Sequence, residues 1–199
     1  MIEFEKLYKR LDTKIKHIAD LKIGYHTQPA EHGDVRYLLT KNFDEEGNLE
    51  NDLNSFVSPE DTNMLHLLKD GDVLFAAKGN RNFAWTYVSS IGPAIASSIF
   101  IILRPNKQKV LPEYISTIFN LPQLQEKFQV LGAGSSIPSI RKSELEAFKI
   151  PVPSIDIQKK IVKLKELHIT NIHISKKVIE EKQNLYNSVI NTLIFKNHG

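Results

Sequence analysis

Cysteine is absent from the 199 residues. That excludes disulfides, thiolate nucleophiles and Cys-based zinc sites together. Long apolar runs are missing too. The longest spans residues 91–103 and is interrupted by Gly92, Pro93, Ser97 and Ser98. A bilayer span needs about 20 residues, so this run reads as buried core and no membrane partner is expected. The N-terminus, Met1-Ile-Glu-Phe-Glu, is acidic within three residues and has no small-residue cleavage site, so no signal peptide is expected and the chain is read as cytoplasmic. Hydrophobic residues make up 41% and charged residues 25%, ordinary proportions that argue against a disordered polymer. The length suits one compact domain plus one extra element.

Acidic residues are missing from two stretches. Residues 73–112 hold no Asp or Glu but carry Lys78, Arg81, Arg104, Lys107 and Lys109. Residues 127–143 hold none and carry Arg141 and Lys142. Such windows suit a surface that faces an anion. The net charge of +3 is also uneven: residues 155–199 contain 8 lysines against 4 acids, so the basic excess lies in the tail.

The pattern along the chain is mixed. Phe4, Leu7 and Leu11 predict a short helix over residues 1–11. Strands and loops follow, with strands predicted at VRYLL and over residues 73–77. AIASSIFIILRP reads as one strand ended by Pro105. Tyr114, Ile118, Leu121, Leu124 and Phe128 fall on one helical stripe after Pro112. GAGSSIPSI is a loop, and RKSELEAFKIPVP a short helix that turns into a strand. Phe75, Ile99, Ile101, Leu103, Tyr114, Ile118 and Phe148 are expected in the core. After Pro153 the sequence changes: Ser154 is a good N-cap, and no Gly or Pro recurs until Gly199. Ile157, Ile161, Leu164, His168, Ile172, Ile179, Tyr186, Val189 and Leu193 step by three and four, which is the seam of a long helix that pairs with another. About 40 residues at ~1.5 Å each give roughly 60 Å. The polar, β-branched residues 170–175 interrupt that seam and are candidates for a bend. The fold expected is α+β: a mixed domain over residues 1–153 and a long coiled-coil helix over 154–199.

Catalysis needs convergent titratable groups, and none is evident. No two of the seven histidines have the spacing of metal ligands on one helix face; His168 and His173 are five apart. Asp70 and Asp72 flank Gly71, which is turn chemistry. There is no G-x-S-x-G and no Walker lysine, and GAGSS follows a helix, not a strand. The loops instead hold recognition chemistry. Lys78, Asn80, Arg81 and Asn82 follow a strand, with Gly79 to admit close approach. Arg pairs bidentately with guanine, Asn with adenine, and Lys serves phosphates. Ser135, Ser136, Ser139, Arg141 and Lys142 suit phosphate and sugar contacts, and Tyr25, His26, Thr27 and Gln28 form a third polar loop. From the residues alone, DNA-reading loops and merely wet loops both stand.

Three segments resemble the specificity subunits of type I restriction–modification systems: LKDGDVLFAAKGN, AIASSIFIILRPN with VLPEYISTIFN, and GAGSSIPSIRKSELEAFKIPVPSIDIQKKIVKLKEL. The last is the most specific, with its Gly/Ser loop, its I-P step, the I-P-x-P boundary, Gln158 and a long helix. The resemblance spans roughly residue 15 to the end. It implies a non-catalytic target recognition domain that binds double-stranded DNA, followed by a helix that docks methyltransferase subunits. Restriction/translocase subunits join the assembly, with S-adenosylmethionine and ATP/Mg held by the partner subunits and no cofactor here. Family members carry two such units, whereas this chain has one. Pairing of two copies through the seam would then read an interrupted palindrome, with Arg81→Ala and Arg141→Ala weakening DNA binding. The alternative is a coiled-coil interaction module or decoy that captures the methyltransferase without reading DNA.

Overall fold

The computed structural model describes residues 12–50, 53–58, 64–133 and 137–195. The helix expected over residues 1–11 lies outside these. The chain divides into two compact units, Met1–Lys159 and Lys160–Gly199. Among the described residues the first unit holds β1 (Asp12–Lys14), β2 (Ala19–Ile23), β3 (Pro29–Ala30), β4 (Val35–Leu38), β5 (Phe56–Val57), β6 (Val73–Ala76), β7 (Ala84–Thr86), β8 (Ala94–Ala96), β9 (Phe100–Pro105) and β10 (Lys149–Pro151). Its helices are α1 (Pro112–Phe119), α2 (Pro122–Gly132) and α3 (Lys142–Ala147). The last helix, α4 (Ile155–Phe195), begins in the first unit and makes up the described part of the second.

The strands form two four-stranded sheets, in the orders β2-β9-β6-β7 and β3-β5-β4-β8, and the pair β1-β10. All pairings are antiparallel except β4 with β8, which makes the second sheet mixed. β6 is buried at every position, because its sheet is covered on both faces. Leu74, Ala76, Phe100 and Ile102 pack with Leu38, Ala94 and Ala96 of the second sheet. The opposite face carries Phe75, whose ring centroid is 5.4 Å from Phe119 of α1 and 4.8 Å from Phe128 of α2. A strand covered twice needs no polar alternation, which is why the sequence there reads as one apolar run.

Two expectations fail for identifiable reasons. The single strand expected in AIASSIFIILRP is two. β8 pairs with β4, and residues 97–99 turn the chain so that β9 enters the other sheet. The turn is closed by the Phe100 N–H, which donates to the Ser97 carbonyl at 3.0 Å. The helical stripe over residues 114–128 is also broken. Pro122 starts a new helix, and Asn120 at the break binds Ala84 through both ends of its amide, each at 2.8 Å. Leu121 is consequently exposed rather than buried. Of the expected core, Ile99 and Phe148 are half-buried and the other five are buried. Residues 170–175 cause no break in α4.

Gly24 is where the chain passes from one sheet to the other. Its N–H donates to the Phe100 carbonyl at 2.9 Å, and the next N–H, of Tyr25, donates to Ala96 at 2.8 Å. A Cβ at Gly24 would lie 2.1 Å from the Ser97 carbonyl oxygen, so only glycine allows this crossing.

At the other end of the sheet, Asp72 is 1% exposed and receives Arg104 bidentately at 2.8 and 2.7 Å, with the Lys69 N–H at 2.8 Å. These bonds raise the Arg104 pKa, against the opposing effect of burial. The first turn of α4 is fixed beside this end by Gln158, which is fully buried. Its Oε1 accepts from the Leu111 N–H at 2.8 Å, and its Nε2 donates to the Pro153 and Lys109 carbonyls at 2.8 and 3.1 Å. Hence the first unit runs to Lys159, past the boundary expected after residue 153.

Gln158→Leu keeps the volume but leaves one N–H and two carbonyls unpaired, so it should destabilise the chain by about 2–4 kcal/mol in denaturant unfolding. Gln158→Glu should not restore it, since a carboxylate faces two carbonyls. Asp72→Asn should cost about 2 kcal/mol, below the usual range for a broken buried pair because Arg104 stays partly in water.

Candidate nucleic-acid interface

The antiparallel register of β6 and β9 places Val73 opposite Leu103 and Ala76 opposite Phe100. Residues 77–82 therefore leave the sheet at the end where β9 begins, whereas Arg104 and Lys107 sit at the other end, bonded to Asp72 and Asp70. The acid-free window over residues 73–112 is thus not one cationic face. Its cations are divided by the strands between them.

At the first end, three remote loops are joined by backbone hydrogen bonds. Tyr25 bridges Ser97. The Ala77 N–H donates to the Ile99 carbonyl at 3.0 Å, the Ile140 N–H to Ala77 at 2.8 Å and the Gly79 N–H to Pro138 at 2.9 Å. Lys78 and Ser139 form an antiparallel bridge. The loops at residues 25–28, 77–82 and 137–142 thus make one continuous rim, although they are more than 110 residues apart at the extremes.

Along this rim the side chains differ in what they are free to do. Lys78 and Asn80 are exposed and make no side-chain hydrogen bond among the described residues. Asn82 is half-buried, and its amide donates to the Ala76 carbonyl at 2.8 Å, which fastens the loop to its strand. Arg81 is exposed but engaged: it donates to the carbonyls of Asp44 at 2.6 Å and Phe43 at 3.3 Å and lies 4.9 Å from the centroid of Phe83. Gly79 has φ +104° with nothing within 4 Å of an added Cβ, so backbone conformation, not the close approach expected from sequence, requires glycine there.

In the third loop, Ser139 is half-buried, its N–H donating to Gly132 at 3.2 Å. Arg141 is exposed, and its N–H is accepted by Glu144 at 2.7 Å, which starts α3. Lys142 pairs with Glu146 at 3.0 Å one turn on. Ser135 and Ser136 lie outside the described residues. The exposed Ile137 completes this loop. In the first loop, the Tyr25 ring lies 4.6 Å from His66, His26 is exposed and Thr27 half-buried. Tyr37 holds this loop from below: its hydroxyl donates to the Tyr25 carbonyl at 2.9 Å and accepts the Thr27 N–H at 3.3 Å. Burial raises the Tyr37 pKa, and the Thr27 bond opposes it only in part.

One participant was not visible in the sequence. The acidic turn at residues 44–48 reaches the rim through Arg81, and a motif search cannot see a bond that ends on backbone carbonyls. Among the described residues, no group of three His, Asp or Glu is placed to hold a metal.

In the second unit, Leu164, His168, Ile172, Ile179, Tyr186, Val189 and Leu193 are all exposed along α4; Ile161 is half-exposed, and Ile157 lies exposed in the first unit's share of the helix. A second exposed stripe, Leu167, Ile174, Val178 and Leu185, runs roughly 90° away around the helix. Its steps of seven and four could have been found in the sequence. No helix of the described residues is long and apolar enough to cross a membrane.

Comparison with known proteins bears on these loops and on the helix. Over 133 residues the chain is 28% identical to the putative type I restriction enzyme MjaX specificity subunit of Methanocaldococcus jannaschii, covering 65% of this chain and 29% of that protein. In fold it is similar to the HsdS subunit from Thermoanaerobacter tengcongensis, with a TM-score of 0.67 and 15% identity over 91% of this chain and 47% of that one. The type I S subunit from M. genitalium gives a TM-score of 0.59 and 14% identity over 94% and 46%. The chain therefore spans less than half the length of each. The type I restriction modification DNA specificity domain matches residues 26–183, from the first rim loop through most of α4, and the chain belongs to that family of non-catalytic DNA-recognition components.

Proposed function

We propose that this chain reads one half-site of double-stranded DNA for a type I restriction–modification enzyme. The observation that carries the reading is the rim, where backbone bonds hold Lys78, Asn80 and Arg141 together at one end of a rigid sheet. Lys78 and Arg141 serve phosphates, Asn80 a base edge, and His26 and Thr27 the flank of the same duplex. The rim offers few free cations. Most of the electrostatic grip then comes from partner subunits, because affinity follows the number of phosphates neutralised.

The role of α4 is association. Two copies paired through Ile161, Leu164, Ile172, Ile179, Tyr186, Val189 and Leu193 carry two identical readers about a two-fold axis. Such a pair reads two inverted half-sites, an interrupted palindrome. The same helix docks adenine methyltransferase subunits, which bring S-adenosylmethionine, and restriction/translocase subunits, which bring ATP and Mg. The setting is the cytoplasm, where that DNA is. The exposed apolar face of α4 also supports a second reading, a decoy that captures methyltransferase subunits through the helix alone.

Methylome sequencing of a host carrying a type I methyltransferase subunit, with and without this chain, separates the two. A new methylated interrupted palindrome is expected; suppression of existing methylation would establish the decoy, and an asymmetric motif would remove the homodimer. In the assembled complex, Lys78→Ala and Arg141→Ala should each weaken duplex binding and reduce the log–log salt slope by about one. Thermal midpoints should stay unchanged, since both side chains are exposed. An unchanged affinity in both would move the DNA surface elsewhere.

A further inference from the structure

The turn at residues 44–48 is built to be held against the rim. The Phe43 and Phe83 rings pack at a tilt of 47° with centroids 5.0 Å apart. Gly47 lies so close to Phe83 that an added Cβ would stand 2.9 Å from the Phe83 Cβ, and its φ is +80°. The turn is closed internally by Asp44, whose carboxylate accepts the Asn48 N–H at 2.7 Å and the Asn48 amide at 3.0 Å, while the Gly47 N–H donates to the Asp44 carbonyl at 3.0 Å. Burial alone would raise the Asp44 pKa; the bonds from Asn48 and the turn amides outweigh it and hold the carboxyl below its usual range. Arg81 closes the arrangement from the other side, through the carbonyls of Asp44 and Phe43 and the face of Phe83.

These contacts decide what Arg81 is available for. A bidentate grip on guanine uses a pair of guanidinium N–H groups presented together. Here both terminal nitrogens already donate to carbonyls, and one face of the group lies on an aromatic ring. Side chains that do remain free, Lys78 and Asn80, sit in the same loop, which has no regular structure of its own. It is fixed by Asn82 at its strand end, by Pro138 at Gly79 and by the Arg81 clasp at the third corner. Base contacts yield more affinity when the loop that presents them is already ordered, because the ordering cost is not then taken from the binding energy.

We infer, on the basis of the DNA-reading role proposed above, that Arg81 is a positioning residue: it fastens the turn at residues 44–48 against the rim and so fixes the loop that presents Lys78 and Asn80, without itself reading a base. The turn is then a fourth element of the reading surface. Its exposed Glu45 and Glu46 mark the edge beyond which the phosphate backbone is repelled.

The test uses the whole chain with Arg81→Met, Arg81→Gln, Asn48→Ala and the Arg81→Met/Asn48→Ala double variant. In the free chain, hydrogen exchange at Gly47 and Asn48 should rise about tenfold in Arg81→Met, since two hydrogen bonds and a ring contact are lost. In complex with methyltransferase subunits, Arg81→Met should weaken binding to the methylated motif about tenfold, with the motif itself unchanged. Arg81→Gln also removes the charge, and its amide nitrogen falls short of the positions of the two terminal nitrogens that hold the Asp44 and Phe43 carbonyls, so it should weaken binding much as Arg81→Met does, with the salt slope unchanged. Asn48→Ala, whose bonds to Asp44 lie within the turn, should weaken binding in the same way, and the double variant should be no worse than Arg81→Met alone. The inference is overturned by unchanged exchange, by degeneracy at a single base pair, or by a neutral Asn48→Ala. A salt slope lower by about one in Arg81→Met or Arg81→Gln would overturn it too, since that marks a direct phosphate contact. A chain that directs no motif removes the DNA-reading role and this inference with it, whereas unchanged exchange removes the inference alone.

Discussion

The head of this protein depends on the short ladder between residues 77–79 and 138–140. Two backbone bonds, Ile140 to Ala77 and Gly79 to Pro138, bring together segments that are about sixty residues apart. Each partner is secured independently: Ala77 at the buried end of β6, and Ile140 by its own burial, 3% exposed, just before α3. Without the ladder, the loop after β6 would keep only its Asn82 and Arg81 anchors and would no longer be tied to the loop after α2, so their relative placement would have to be set by the ligand. Ordering a residue costs about 1–2 kcal/mol in backbone entropy, so a reader assembled only on contact would lose most of its binding energy to that step.

The same sheet separates two kinds of chemistry. At the end with the loops, polar side chains stay exposed and the backbone is satisfied by crossing bonds. The opposite end satisfies its polar groups internally, Asp72 with Arg104 and Gln158 with three backbone groups, and the Gln158 bonds hold the first turn of α4. Antiparallel pairing makes the division unavoidable, because residues that flank a strand emerge at opposite ends. Cations that look like one cluster in sequence therefore serve as phosphate candidates (Lys78) or as structural partners (Arg104), according to which end of β6 or β9 they follow.

What could be read from the sequence follows from the range of the interactions involved. Local signals were legible: the burial of β6, the short helix that turns into β10, the Ser154 start of α4 and its exposed seam. The turn at residues 97–99 was not, because two serines are a weak turn signal inside a run that is apolar on both sides; the bend exists because two sheets compete for the flanking strands. The break at residues 120–122 was legible in Pro122 and was overridden by a periodicity that happened to continue across it. In the candidate site, the polar loops could be named, but not which of their members were already committed. Arg81 and Asn82 donate to backbone carbonyls, and a carbonyl is present at every residue, so no residue type marks the acceptor. Asp72 does serve its turn, accepting the Lys69 N–H three residues back; what no local pattern shows is that the same carboxylate also holds Arg104, 32 residues away.

The helix raises a question of arc. A two-stranded coiled coil covers a narrow seam, and a helix that packs into a larger core shows an apolar stripe of at least about 100°. The seam from Ile161 to Leu193 satisfies the first condition. The second stripe, Leu167, Ile174, Val178 and Leu185, widens the apolar arc to roughly 160° when the two are taken together. A second copy lying on the seam leaves that stripe in water, where each exposed Leu or Ile forgoes about 1.5–3 kcal/mol of burial. Pairing of two copies is therefore an incomplete solution for this helix. In the assembly proposed above, the second stripe is the part of α4 that self-association leaves for a partner subunit.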